Sequence, residues 1–461
     1  MSGNQTIRVV ATSARLLTGA VACVACVAGV VVAITAPWPS VSSRPAQAEV
    51  TPLPGDTVLV CNGDFRALGR DTSDPLRMDS AASPRFTMEG TEGEPEIGSL
   101  TAGDLAGAGE VRRLTGAVEG RKAPLIGATE SVTLRAEDLS GFAAAPCREA
   151  STESWLIGGA VVTGAEDLVV LTNPGAVPST VTLTVYGTTR TSTTSIVPAG
   201  AQVALPLAAI AGGTAAPVVN VTATGSPVRA VLQSSLMQTL DPVGVDLQDA
   251  VSAPQQHPVI PGVQIFQNEG DDSSANMLRL FSPETETQAT VTIRAVGDVE
   301  ASAVFQMDIP AGVATDVGLP DLDPGLYTVQ VDAESAVLAG VRVQDGAGPG
   351  SDFAWAMPAP EFTGETLVAV PSGPAAVLVL TNDEAEDVQV TVGPVGGGGG
   401  EKQVTVPAGS SASVDVTDGT VYSVRSAAPV HASVSMTGDG ALAVWPVWPP
   451  AGAEKSVVVY P

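Results

Sequence analysis

Val181-Thr182-Leu183-Thr184-Val185 decides the fold class: every second residue is aliphatic and those between are threonine. Successive side chains of a β-strand point to opposite faces, so this run lays one face on a core and turns the other to water. Val291-Thr292-Ile293-Arg294-Ala295 and Val388-Gln389-Val390-Thr391-Val392 repeat the pattern. Each copy follows an apolar strand: Leu168-Val169-Val170-Leu171, Met277-Leu278-Arg279-Leu280 or Val377-Leu378-Val379-Leu380. A turn separates the two: Thr172-Asn173-Pro174, Phe281-Ser282-Pro283 or Thr381-Asn382-Asp383.

Downstream, each copy carries the same tripeptide, Pro198-Ala199-Gly200, Pro310-Ala311-Gly312 or Pro407-Ala408-Gly409. Proline fixes φ near −65° and glycine suits the end of a turn, which predicts a hairpin turn at a strand end. Seven places after each proline stands Leu205, Val317 or Val414, and all three are expected to be buried. A last matched strand holds Pro227-Val228-Arg229-Ala230, Ala336-Val337-Leu338-Ala339 and Pro429-Val430-His431-Ala432. Its constant alanine indicates tight packing against a neighbour. Its variable position (Arg229, Leu338 or His431) is expected on an outer strand face.

This self-similarity predicts an all-β chain with three tandem immunoglobulin-like or fibronectin-like β-sandwich repeats after an N-terminal transmembrane helix. The repeats cover 151–255, 256–360 and 361–461. The alternative is three blades of a propeller-like assembly, one fewer than the usual minimum of four. Residues 59–150 are the least regular. Thr57-Val58-Leu59-Val60 and Ser131-Val132-Thr133-Leu134 read as strands, with long loops between them tied by Cys61 and Cys147.

The N-terminus sets the compartment. Arg8 and Arg15 precede an apolar run from Leu16 to Ala36, and 21 residues at about 1.5 Å each span a hydrocarbon core of about 30 Å. Residues 1–15 are then cytoplasmic, 16–36 the transmembrane helix, 37–58 a proline-rich linker, and the remainder extracytoplasmic. The alternative is secretion after cleavage near Ala48, at Ala46-Gln47-Ala48. Cys23 and Cys26 lie inside the apolar run. Cys61 and Cys147 are the only cysteines beyond it, which in an oxidising compartment implies a disulfide between them.

A net charge of −28 over 461 residues opposes nucleic acid and anionic lipid surfaces as partners. Hydrophobic residues make up 44% of the chain, which excludes an acidic disordered chain. The chemistry of catalysis is missing. His257 and His431 are isolated from each other, no nucleophile elbow or zinc-helix motif occurs, and Gly396 to Gly400 reads as a hairpin tip instead of a phosphate loop. Asp321-x-Asp323-x-Gly325 and the acidic tip Asp383 to Asp387 lack the six to eight oxygens calcium needs. Asn220-Val221-Thr222 is a formal glycosylation sequon within a strand-like run. Trp445 and Trp448 stand among Pro446, Pro449 and Pro450, where they serve either as a ligand-stacking platform or as inter-domain packing. No catalytic, cofactor or metal residue is assigned.

The order of apolar helix, Cys61, Cys147, Ser154-Trp155-Leu156-Ile157-Gly158-Gly159 and Leu168 to Pro174 resembles an actinobacterial family of membrane-anchored envelope proteins of unknown function. That resemblance implies a role beside cell-wall or glycan assembly, and it carries no site residues. Two function classes follow. The first is a non-catalytic envelope scaffold for a protein or glycan partner. The second is an accessory or degenerate carbohydrate-active protein, which would need two carboxylates about 5 to 10 Å apart in a cleft. Peptide mapping of the unreduced protein is expected to recover Cys61 and Cys147 as one linked pair; two free thiols would contradict this.

Overall fold

The computed structural model describes residues 4–35, 48–50, 54–106, 109–120, 123–267, 276–396, 400–450 and 457–459. A helix runs over Asn4–Thr35, so it takes in most of the stretch assigned to a separate cytoplasmic N-terminus. Its part Leu16–Thr35 is long and apolar enough to cross a membrane. Ala48–Val50 pairs antiparallel with Val457–Val459, and with the helix these form one compact unit; residues 52–455 form another. Ala46 and Gln47 of the cleavage signal, most of the 37–58 linker, and residues 397–399 of the glycine run lie outside the described residues.

Within residues 52–455, three eight-stranded sandwiches share one strand order. In the first, the strands are Glu153–Leu156, Ala165–Asn173, Ser179–Tyr186, Thr191–Val197, Ala201–Pro206, Val218–Gly225, Arg229–Gln238 and Asp241–Asp249. One sheet runs first-sixth-third-fourth; the other runs eighth-seventh-second-fifth. The second sandwich, Val259–Ile265 to Phe353–Ala356, repeats both orders. So does the third, in which the single strand Thr420–Gly438 serves as both sixth and seventh. The second strand of an immunoglobulin sandwich is flanked by the first and fifth; here the seventh takes the first strand's place. The alternating valines and leucines meet inside. Val181, Leu183, Val291, Ile293, Val390 and Val392 are each at most 2% exposed.

The Pro-Ala-Gly turns do not close hairpins. Each joins the fourth strand of one sheet to the fifth strand of the other, so it is a corner between layers. Gly200, Gly312 and Gly409 have φ of 63°, 72° and 63°, the left-handed backbone that lets the chain turn the corner. Val414 is buried as expected, whereas Leu205 and Val317 are only half-buried against their cores, so the burial expected of all three holds for the third sandwich alone.

The other correction concerns residues 59–150, expected as long loops. With Thr57–Val60 they hold nine strands. Their apolar side chains find partners in the repeats. Met78 and Leu105 cover Leu168 and Val170, and Phe65, Val132 and Leu134 cover Val231, Val245 and Leu247. The second sheet of the first sandwich is therefore buried on both faces, as an uninterrupted apolar run permits. Burial on both faces also accounts for the variable seventh-strand position. Arg229, Leu338 and His431 are 3%, 1% and 9% exposed, so the outer-face expectation fails for all three.

Four edge strands close a circuit: Ser140–Pro146 from the N-terminal segment and the eighth strands Asp241–Asp249, Phe353–Ala356 and Ala441–Pro446, each packed on the next. Burying strand edges strands their N–H groups, which must find acceptors. Asp352, fully buried, accepts from Phe142 N (2.8 Å), Val245 N (2.9 Å) and Leu442 N (2.9 Å), one amide from each of the other three strands. Asp246 returns the bond by accepting from Trp355 N at 2.9 Å. A Cβ on Gly244 would stand 2.8 Å from the Asp352 carboxylate, so the site requires glycine there.

Asp352→Ala leaves three buried amides without an acceptor, each costing roughly 1–3 kcal/mol. Urea unfolding of the full chain is expected to show a loss of at least ~3 kcal/mol, and Asp352→Asn a smaller one. A loss below ~1 kcal/mol for the alanine variant would remove Asp352 from this role.

Candidate functional site

A line of buried charge leads from the interior to a surface cleft. Glu130 is fully buried because Ile126–Arg135 is the middle strand of its sheet; its carboxylate accepts from Asn62 N and, at 2.9 Å, from Gly63 N. Arg229 lies 3.9 Å from Glu130 and 3.9 Å from Asp249, and donates to Pro146 O at 2.6 Å. Asp249 in turn accepts from Arg148 Nη1 at 2.8 Å. The Arg148 guanidinium lies 3.2 Å above the Trp448 ring. There the chain opens into a cleft of about 300 Å³ walled by Thr57, Arg148, Ser252, Thr366, Trp448 and Pro449. Cys147, joined to Cys61, forms part of its wall.

The second concavity, about 380 Å³, lies between the first and second sandwiches. Arg279 is 3% exposed, grips Asp316 with Nε and Nη2 at 2.7 and 2.9 Å, and donates Nη1 to the carbonyls of Ile157 and Gly159. Its guanidinium stands 5.0 Å from the Trp355 ring. Asp167, on the second strand of the first sandwich, accepts from Ala160 N at 2.6 Å. Below this recess Trp155, Tyr186 and Phe281 form an aromatic junction with ring centroids 5.1 to 6.2 Å apart. An otherwise aromatic-poor chain thus concentrates its rings where two sandwiches meet.

The residues singled out from sequence are distributed as follows. Trp445 is in the core of the third sandwich and Trp448 lies under Arg148, and both border the cleft of about 300 Å³. His431 Nδ1 is 2.8 Å from Ala359 O, and exposed His257 meets exposed Asp332 at 2.8 Å. Asn382 organises the acidic tip: Oδ1 accepts from Glu384 N, and Nδ2 donates to Glu386 O and Val406 O. Asn173 makes the same three bonds, to Gly175 N, Val177 O and Val197 O, a staple that the shared Thr-Asn dipeptides already signalled. Asp321, Asp323 and the other acids form no group of three potential metal ligands among the described residues. Glu130 and Asp246 went unnoticed in the sequence, since isolated charged residues carry no pattern.

Desolvation pushes the Glu130 and Asp246 carboxyls up to about 7 and Asp167 up to about 6, against the opposing pull of their amide donors and nearby arginines. Unfolded carboxyls titrate near 4. Between about pH 4 and pH 7 the folded chain thus holds protons that the unfolded chain has lost. The stability these groups contribute is complete below about pH 4 and declines as pH rises to 7, on the order of 4 kcal/mol for each fully buried group. Urea midpoints are expected to fall from pH 5 to pH 8, and Glu130→Gln to shallow that slope; a midpoint that rises over this range would contradict the assignment.

No curated protein matches the chain. Among solved structures, the crystal structure of chicken CNTN1 FN1-FN3 domains matches at 13% identity, covering 66% of this chain and 97% of that one, with a TM-score of 0.12, too low to carry an argument. The model of a family of unknown function (DUF5719) matches residues 101–417, more than half the chain and from within the N-terminal segment into the third sandwich. The chain belongs to that family.

Proposed function

We propose that this chain is a non-catalytic, extracytoplasmic scaffold of the cell envelope, held at the membrane by its N-terminal helix. Residues 52–455 would lie outside, engaging a protein or glycan partner in cell-wall or glycan assembly. The apolar segment Leu16–Thr35 and the disulfide support the location, since disulfides persist in oxidising compartments. One observation carries the functional reading. The buried carboxylates Glu130, Asp167, Asp246 and Asp352 each accept backbone amides, and Asp316 is gripped by Arg279. A carboxylate so engaged fixes the chain and is poorly placed to shuttle protons. Recognition then falls to the surfaces of the sandwiches.

Crosslinking in intact cells, with photoreactive residues on outward strand positions, is expected to capture an envelope component. Protease added outside should cleave the same pool of protein. A chain wholly protected from external protease would overturn the location, and capture of cytoplasmic proteins alone would overturn the role.

A further inference from the structure

The fourth strand of each sandwich lies at a sheet edge, and the three edges are not alike. In the first sandwich this strand is Thr191–Val197, which contains no charge, proline or glycine. It pairs with Ser179–Tyr186 in a register that runs unbroken from Thr191 to Val197. Among the described residues its backbone bonds to no other strand. Thr191, Ser192, Thr193 and Thr194 are all exposed, so both faces of the strand are open there, and Ile196 is 68% exposed. The unpaired N–H and C=O groups of such an edge are a template for another strand, and proteins usually blunt it with a charge, a proline or a bulge. The equivalent strand Ala303–Ile309 carries Asp308, and Lys402–Val406 begins with Lys402. Thr191–Val197 carries no such device.

We propose that Thr191–Val197 is a self-association edge, pairing antiparallel with the same strand of a second copy. A two-fold axis at Thr194 sets Thr194 against itself, Thr193 against Ser195, Ser192 against Ile196 and Thr191 against Val197. Every pairing is uncharged. Each Ile196 is covered by Ser192 and, on the diagonal, by Thr194 of the other copy. The surrounding field favours this occupant. Two chains of net charge −28 repel, so contact is least opposed where charge is remote. The row that ends at Thr194 runs through Thr182 and Thr222 to Glu153. That carboxylate lies three strands in, about 14 Å from the edge, beyond the Debye length of about 8 Å at physiological salt. Arg190, just before the strand, is laid over Tyr186 at 4.5 Å. A single pair of seven-residue strands falls below the roughly 1,200 Å² of a standard interface, so the pair is weak and short-lived. The inference goes beyond the scaffold reading and does not depend on which side of the membrane the chain lies.

The test traps the pair by oxidation of the full-length chain in detergent, with Cys23 and Cys26 replaced by alanine. Thr194→Cys is expected to give a disulfide-linked dimer, because residues opposite each other on antiparallel strands lie about 4.5–5.5 Å apart at Cα, within disulfide reach. Gln306→Cys, at the middle of the equivalent strand of the second sandwich, should give about tenfold less. Ser192→Cys alone should give as little, yet should crosslink when mixed with Ile196→Cys. Association through the membrane helix would raise all variants alike, so the differences among them report the edge. Equal dimer from Gln306→Cys, self-crosslinking of Ser192→Cys at the level of Thr194→Cys, or no dimer from Thr194→Cys would each overturn the proposal. So would oxidation in cells that captures other proteins at Thr194→Cys and no second copy.

Discussion

One aspartate side chain satisfies the amides of three strand edges that belong to three different parts of the chain. Sandwiches laid side by side ordinarily leave their edge strands in water, where N–H groups are solvated. Here the eighth strands of all three sandwiches, joined by Ser140–Pro146, are driven inward, and their edges are dry. Such a junction is stable only if an acceptor is supplied for each edge amide. Asp352 supplies three and Asp246 another. Gly141 and Gly244 give the Asp352 carboxylate room. The closed circuit explains why the N-terminal segment is ordered at all. It contributes the fourth side and takes its core from residues that the repeats would otherwise expose.

The sequence disclosed whatever a short window can hold. Alternation in Val181 to Val185 and its two copies specified strands and their inward faces, and the tripeptides marked true corners through their glycines. The corner's partner lay beyond any window. Whether Gly200 leads back into the same sheet or across to the other depends on the pairing of Ala201–Pro206 with Ala165–Asn173, a contact between distant residues. Residues 59–150 failed for the same reason. Phe65 and Val132 show no strong period because their partners are Val231 and Val245, so the core there is assembled from unrelated stretches. The variable position Arg229, Leu338 or His431 misled because tolerance of different residues was equated with exposure. Each is instead buried against its own distinct neighbour: Arg229 on Pro146 O, His431 on Ala359 O, Leu338 in the aromatic junction.

The same division holds for the candidate surfaces. Trp445, which stood out in sequence, is spent on packing, whereas threonines that looked like ordinary strand formers line up in rows once the third, fourth and sixth strands are laid in register. Three sandwiches of one topology thus differ in the residues they set at outward strand positions.

The circuit also bears on the order in which the chain is made. A polypeptide emerging from its N-terminus presents Phe65, Val132 and Leu134 before Val231 and Leu247 exist to cover them. The Asp352 carboxylate lacks its Leu442 amide until nearly the whole chain has appeared. Residues 59–150 therefore lack part of their core until the repeats have appeared. They wait, apolar and partly unsheltered, for the last sandwich to arrive. The longer synthesis takes to reach Leu442, the longer those side chains go without their partners. A premature stop late in the third sandwich would then be felt first at the other end of the body.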